Sequence, residues 1–286
     1  ERYCKSLVRS TESSQYIHHM YVEKNFGIVA VLKFSGWHMV WITCWATIVA
    51  VLYKFTPIAG FTIPWLPISV IGTAVAFYLG FKNNQAYDRL WEARKIWGAI
   101  INSSRAWGSA VRAFVTHQFA EPDYANTPLG EVHRRLIYRH IAWLYVLRNQ
   151  LLIPTQWEHI TQGRYVGELA KKRRSEFGVD LFNEGDIEIR MKQFLPKTEV
   201  LPLANAKNSA TQIIDAQAQD LVTLRKQGLI EDFRHMELQG LLNLLYDHQG
   251  KAERIKKFPL PRQYGAMSSV FVAIFIFLLP FGMIGA

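Results

Sequence analysis

The chain is poor in several things that would each announce a function. It carries two cysteines in 286 residues, Cys4 and Cys44. That excludes a disulfide framework and a cysteine-built metal site. Cys44 sits inside an apolar run and is expected to pack as a small hydrophobe. The nine histidines show no HExxH or comparable ligand spacing. His18 and His19 are neighbours that would point to different sides of a helix, so a surface role is expected of them. GxGxxG, GxxxxGK[ST] and GxSxG are all absent, which removes the main nucleotide-cradling and hydrolase signatures. Strand-like alternation of useful length and internal repeats are missing too. The expected fold class is therefore all-α, and no catalytic residue, metal site or enzymatic activity is expected.

Charge is also missing, but only in places. Residues Ala59 to Phe81 form a run of 23 without one charge, and Gly265 to Ala286 is another such run. A third, from about Phe34 to Tyr53, has His38 as its one titratable residue besides Cys44 and Tyr53. A helix rises about 1.5 Å per residue and the hydrocarbon core of a bilayer is about 30 Å thick, so each run is long enough to cross it. His38 is expected to hydrogen-bond to a neighbouring helix. Pro64 and Pro67 predict that the regular helix of the second run starts near Ile68, behind a bent lead-in. Ile68–Phe81 is then too short to span alone, so the helix is expected to continue past Lys82. Pro280 predicts a kink in the last run.

Against those runs stands a dense charged block. Net charge is +10, and 27 of the 33 Lys and Arg fall between Lys82 and Arg262 together with 20 of the 23 acids. That balance is an ordinary solvated surface, and with no nucleic-acid motif present a nucleic-acid partner is not expected. The amino-terminal ERYCKSLVRSTESS is charged and polar, without the pattern of a signal peptide. The loop of residues 54–58 carries only Lys54, whereas both flanks are rich in Lys and Arg. The positive-inside rule then places the amino terminus and the middle block in the cytoplasm and the short loop outside. Expected boundaries are 1–33 for an amino-terminal interfacial segment, 34–81 for two membrane spans, 82–264 for a helical cytosolic domain and 265–286 for a third span. Within the block, helices are expected over Asp88–Phe119, Arg134–Leu152, Asn208–Lys226 and Leu229–Ile255. Gly228 breaks the pattern between the last two, and Pro259–Pro261 ends the final one.

Thr73, Phe77 and Phe81 recur at i, i+4, i+8 and make one stripe, with Gly72, Ala74, Ala76 and Gly80 beside it. Small residues let membrane helices approach closely, and a bulky stripe among them suits a ring of helices around a narrow axis. Contact with lipid or a neighbouring helix is the simpler reading of the periodicity alone. Asp88 and Glu92 lie one turn apart, but Arg89, Arg94 and Lys95 surround them, so ion pairs are expected there rather than acid–base chemistry.

Three blocks carry a resemblance. LGFKNNQAYDRLWEARKIWGAIINSSR (Leu79–Arg105), RHIAWLYVLRNQL (Arg139–Leu151) and GKAERIKKFPLPRQY (Gly250–Tyr264) are similar, in order and spacing, to the bacterial branch of the bestrophin family. The likeness covers most of the chain after about residue 60. It implies a ring-shaped homopentamer in the cell membrane, for bacterial members the inner membrane, with membrane helices continuous with a large helical cytosolic part. It implies an ion channel, with chloride or other small monovalent anions as the favoured cargo and the bilayer and further copies of the chain as partners. A monovalent cation channel of the same fold and a non-conducting membrane scaffold are the alternatives. Carried over, the family's narrow neck falls on Thr73, Phe77 and Phe81. Thr73 replaces the usual aliphatic residue and makes the outer ring wetter. Lys82, Asn83 and Asn84 then line the vestibule below. The family's inner constriction falls near Phe233, with Met236 one turn on. No cofactor is expected: the acidic calcium clasp of animal relatives follows the last membrane helix, beyond Ala286, as does the family's fourth membrane helix.

Overall fold

The computed structural model describes residues 28–56, 63–161, 163–176, 189, 191–204, 206–258 and 262–284. The expectations for residues 1–27, including His18 and His19, for most of the outer loop and for Pro259–Pro261 lie outside the described residues. No strand occurs among the described residues. Eight helices are described: α1 (Ile28–Phe55), α2 (Trp65–Phe114), α3 (Leu129–Leu152), α4 (Arg164–Glu176), α5 (Lys197–Ala204), α6 (Ser209–Lys226), α7 (Asp232–Lys257) and α8 (Arg262–Ile284). The fold class is all-α, as the sequence predicts.

Contacts divide the chain into two compact units. One is built from the described residues of Leu90–Phe258, the other from those of His19–Arg89 and Pro259–Ala286. In the first, α3, α6 and α7 pack on one another. Their apolar residues recur every three or four positions: Val132, Leu136, Trp143 and Leu147 on α3; Ile213, Ile214, Leu221 and Leu224 on α6; Leu238, Leu242 and Leu245 on α7. That spacing is one helical stripe per element, and burying each such Leu or Ile contributes about 1.5–3 kcal/mol. Trp107 and Val111 of α2 are fully buried in the same core.

Several polar groups buried in this core are matched, while Trp107 Nε1 and His140 Nε2 have no hydrogen-bond partner among the described residues. Gln249, 3% exposed, accepts from Trp143 Nε1 at 2.9 Å and donates to Thr211 Oγ1 at 2.9 Å and Glu253 Oε1 at 2.8 Å. Arg139 donates to both oxygens of Glu199 at 3.1 and 2.8 Å, to Asp220 Oδ2 at 2.7 Å and to Gln217 Oε1 at 3.2 Å. Its burial works against the charge, but the hydrogen bonds to Glu199 and Asp220 outweigh that and hold its pKa above the ordinary value. Glu158 is bonded by Lys256 and by Thr155, which outweigh its burial and hold its carboxyl below the usual range.

Element boundaries differ from the sequence reading where local chemistry was misread. Helix α2 starts at Trp65, not near Ile68, because Pro67 falls in the first turn, where its missing N–H has no helical partner to lose. It ends at Phe114, not Phe119: the chain turns there so that Thr116 N donates to Leu229 O at 3.0 Å and Glu121 N to Gln227 O at 3.2 Å. Asn208 caps α6 by accepting from Thr211 N at 3.2 Å. Gly228, φ 69°, terminates the connection behind α6. Leu229 and Ile230 do not belong to α7. They are 1% and 2% exposed, plugged into the core as part of the turn, and the helix begins at Asp232.

Among the described residues three helical segments are long and apolar enough to cross a membrane: Ser35–Phe55 within α1, the apolar part of α2, and Met267–Ile284 of α8. Trp45 of α1 stacks on Phe277 of α8 at 5.0 Å and donates its indole N–H to the Phe277 carbonyl at 3.3 Å. Two further expectations are corrected. His38 accepts from Trp41 Nε1 at 3.2 Å on its own helix rather than meeting another. Cys44 is exposed on this chain, not packed.

Candidate functional site

Helix α2 has two faces within the unit that ends at Arg89. Ile68 is 1% and Val75 7% exposed. This side meets α8. A methyl built on Gly72 would stand 2.8 Å from the Phe275 ring, and one on Gly282 would stand 2.4 Å from Ile68 Cδ1. Each glycine is therefore a place where the two helices approach too closely for a side chain. Tyr78 leans on Phe271 with ring centroids 5.7 Å apart.

The opposite face is bare. At about 100° per residue, Thr73 and Phe77 each lie about 160° away from Val75, between them in sequence. Phe77 is 65% and Phe81 64% exposed, and Thr73 is exposed. The stripe extends outward through Val70 and Leu66, at 64% and 75%, and inward through Asn84 and Asp88, both exposed. So the three residues singled out in sequence share one unpartnered face. Lys82 and Asn83 are exposed as well, but their positions are rotated about 100° and 200° from Phe81, and Asn84 is the one of the three that continues the stripe. The Thr73 hydroxyl donates to the Ser69 carbonyl at 3.0 Å. Its proton is committed to its own helix, and what it turns outward is a methyl and oxygen lone pairs.

Phe233 and Met236, in the other unit, are 75% and 68% exposed in the first turns of α7. The residue between them is tied down. Arg234, between them, donates to Thr116 Oγ1 at 3.2 Å and Gln118 Oε1 at 3.0 Å, and its guanidinium lies 5.5 Å from the centre of the Phe119 ring. Arg225 pairs with Asp232 at 2.5 Å across the Gly228 turn, and that hydrogen bond holds the Asp232 carboxyl below its usual range. No local pattern signals the Arg234 clamp, whose partners lie more than 110 positions away.

One cluster imitates a hydrolase. Ser103 Oγ is 3.1 Å from His248 Nε2, and His248 Nδ1 is 3.8 Å from Asp247 Oδ2. The second distance is too long for a hydrogen bond, Lys251 holds that carboxylate at 2.5 Å, and Ser103 is 8% exposed. It is a tie between α2 and α7. Glu92 pairs with Arg254 at 3.1 Å, so of the two acids around residue 90 Glu92 engages in ion pairing, and Asp88 forms no ion pair among the described residues. Among the described residues no group of three or more His, Cys, Asp or Glu is placed to hold a metal ion.

Comparison with known proteins follows the same lines. The chain is 27% identical over 235 residues to the voltage-dependent anion channel-forming protein YneE of Escherichia coli, an overlap of 78% of this chain and 63% of that protein. It is 25% identical over 218 residues to a voltage-dependent anion channel-forming protein of Ralstonia nicotianae, covering 76% of this chain and 58% of the relative. The chain thus spans less than two thirds of the length of these relatives. Its fold matches the crystal structure of a bacterial bestrophin homolog from Klebsiella pneumoniae with a TM-score of 0.66 at 20% identity, over 87% of this chain and 77% of that one. A model of the bacterial and fungal bestrophin family matches residues 29–286, and with nine tenths of the chain inside that match the protein belongs to the bacterial/fungal bestrophin family.

Proposed function

We propose that this chain is the subunit of a ring-shaped homopentameric channel that passes small monovalent anions, chloride above all, across a bacterial cell membrane. The observation that carries this reading is the bare face of α2. A membrane helix whose one side is seated against α8 while Thr73, Phe77 and Phe81 stand free on the other has the form of a wall awaiting an axis. Five such walls would make a neck of one hydroxyl ring and two phenyl rings. Apolar constrictions gate by width and dewetting, and phenyl edges are electropositive, which suits an anion that has shed water. The names carried by the Escherichia coli and Ralstonia relatives favour anions as cargo.

In this reading Asn84, on the stripe, rehydrates the ion below the neck, with Lys82 and Asn83 on the flanks of the vestibule. Phe233 and Met236 form the inner constriction, held in register by Arg234. Residues 82–264 form the cytosolic part, and the membrane spans lie within 34–81 and 265–286. Transport rather than bond-breaking is the activity, and the chain needs no cofactor for it.

The test is flux and mass together. The purified protein should run as a pentamer in detergent and pass chloride in liposomes. Phe77→Ala and Phe81→Ala should change conductance severalfold. A monomer, or flux insensitive to both substitutions, would refute the channel and leave a membrane scaffold. A reversal potential near that of potassium in a KCl gradient would instead identify a cation channel.

A further inference from the structure

Between residues 63 and 89 the charged side chains are Lys82, Asp88 and Arg89. Lys82 is rotated about 100° from Phe81, and Arg89 about 100° from Asp88. Asp88 alone of these three lies on the stripe, one turn past Asn84 and two turns past Phe81, rotated only about 20° from the Phe81 position. It is exposed and makes no ion pair among the described residues, whereas Glu92 is matched by Arg254.

We propose that Asp88 is the residue that sets the cation–anion balance of the passage, with its carboxylate acting against anions at the inner mouth of the neck. This rests on the assignment of the Thr73–Phe77–Phe81 stripe to the pore axis. If that stripe faces the axis, five copies of Asp88 form a ring about 10 Å below Phe81. Rings of fixed charge select ions by enriching the opposite sign and depleting their own. About 10 Å is also one Debye length at 0.1 M salt, so the ring acts on an ion leaving Phe81 at low ionic strength. At 1 M the length falls to about 3 Å and the ring is screened out. The neck itself carries no charge, so Asp88 is the first fixed charge an inward-moving ion meets along the stripe, and the chain's anion preference is held below what its phenyl rings alone would give.

The experiment is the chloride-to-potassium permeability ratio from reversal potentials of the full chain in planar bilayers, at about 0.1 M and about 1 M KCl. Asp88→Asn should raise the ratio about threefold or more at low salt and by much less at high salt. Asp88→Lys should raise it further, and Asp88→Glu, which keeps the charge, should track the parent. A local change of shape would not show this dependence on charge and salt. Should Asp88→Asn not assemble, Asp88→Ser carries the same expectation. A low-salt ratio unchanged in the neutral variants overturns the inference. Phe77→Ala, measured alongside, then separates the causes: if it alters conductance, the neck stands and Asp88 faces elsewhere, and if it too is silent, the neck assignment falls with it.

Discussion

Replacing Arg139 with Met removes a guanidinium whose side chain is 6% exposed and which sits between Glu199, at 28%, and Asp220, at 12%. Removing one member of a buried ion network typically costs about 3–5 kcal/mol, because the partners are left charged and dry. The geometry here points to the lower end. Asp220 keeps Arg135, which forks onto both its oxygens at 2.9 Å. Glu199 is open enough to recover water. Gln217 loses a donor but keeps its own bond to the Leu136 carbonyl at 2.7 Å. About 3 kcal/mol is therefore expected for Arg139→Met, and about 1 kcal/mol for Glu199→Gln, where a neutral acceptor replaces a half-hydrated charge. For a unit of this size the first corresponds to a fall in Tm of about 6–12 °C. Thermal unfolding in detergent, followed by tryptophan fluorescence, reads it through Trp143, one turn along α3. An Arg139→Met protein that melts within about 1 °C of the parent would refute the reasoning, showing that desolvation of the ion already cancels its attraction. So would a Glu199→Gln protein that loses as much as Arg139→Met.

Three further outcomes are expected. His140 is 8% exposed between the Trp107 and Trp143 rings, with no partner for Nε2, and burial pushes its pKa down to about 4 from an ordinary 6.5. The unfolded chain takes up this proton first, so stability falls as pH drops from about 6.5 toward 4 and that loss is complete below it. From pH 7 to 5 the loss from this group is about 2 kcal/mol, and unfolding of His140→Asn across that window should show a correspondingly shallower slope. Gly228→Ala places a methyl 2.2 Å from the Phe119 carbonyl oxygen at φ 69°; the backbone conformation alone costs about 1–2 kcal/mol, so a loss of stability exceeding that, read as a lower Tm, is expected, and a neutral result would mean the turn has another conformation. Gly282→Val forces Ile68 and Trp65 aside and should cost about 1–3 kcal/mol by overpacking, read as a lower melting temperature in detergent with secondary structure by circular dichroism retained.

The helices long and apolar enough to cross a membrane were legible because hydrocarbon tolerates no bare charge, and Ala59–Phe81 and Gly265–Ala286 have none. The core of the helical unit was legible for a related reason: Leu238, Leu242 and Leu245 keep helical spacing. What failed were places where a residue type has two uses. Leu229 and Ile230 read as the start of a helix, yet their apolar side chains serve equally well as a plug in a turn, and only Thr116 donating to the Leu229 carbonyl decides it. Pro67 read as a breaker, yet the first turn of a helix has no bond for it to break. The Thr73–Phe77–Phe81 stripe was visible as a period, but a period does not say which side of a helix is covered. That came from Gly72 and Gly282, whose missing side chains mark the side taken by α8. Arg234 was invisible because its partners are joined to it by folding alone.

The amide of Gln249 has a consequence of another kind. Its oxygen faces a donor, Trp143, and its nitrogen faces acceptors, Thr211 and Glu253. Rotating that amide by half a turn would set like against like on both sides, so the side chain reads polarity as well as shape. Leucine contacts among α3, α6 and α7 would tolerate one helix sliding along another by a turn, because one leucine substitutes for the next. Gln249 does not tolerate it. It works as a vernier mark on an otherwise greasy slide, fixing where α7 stops along its own axis.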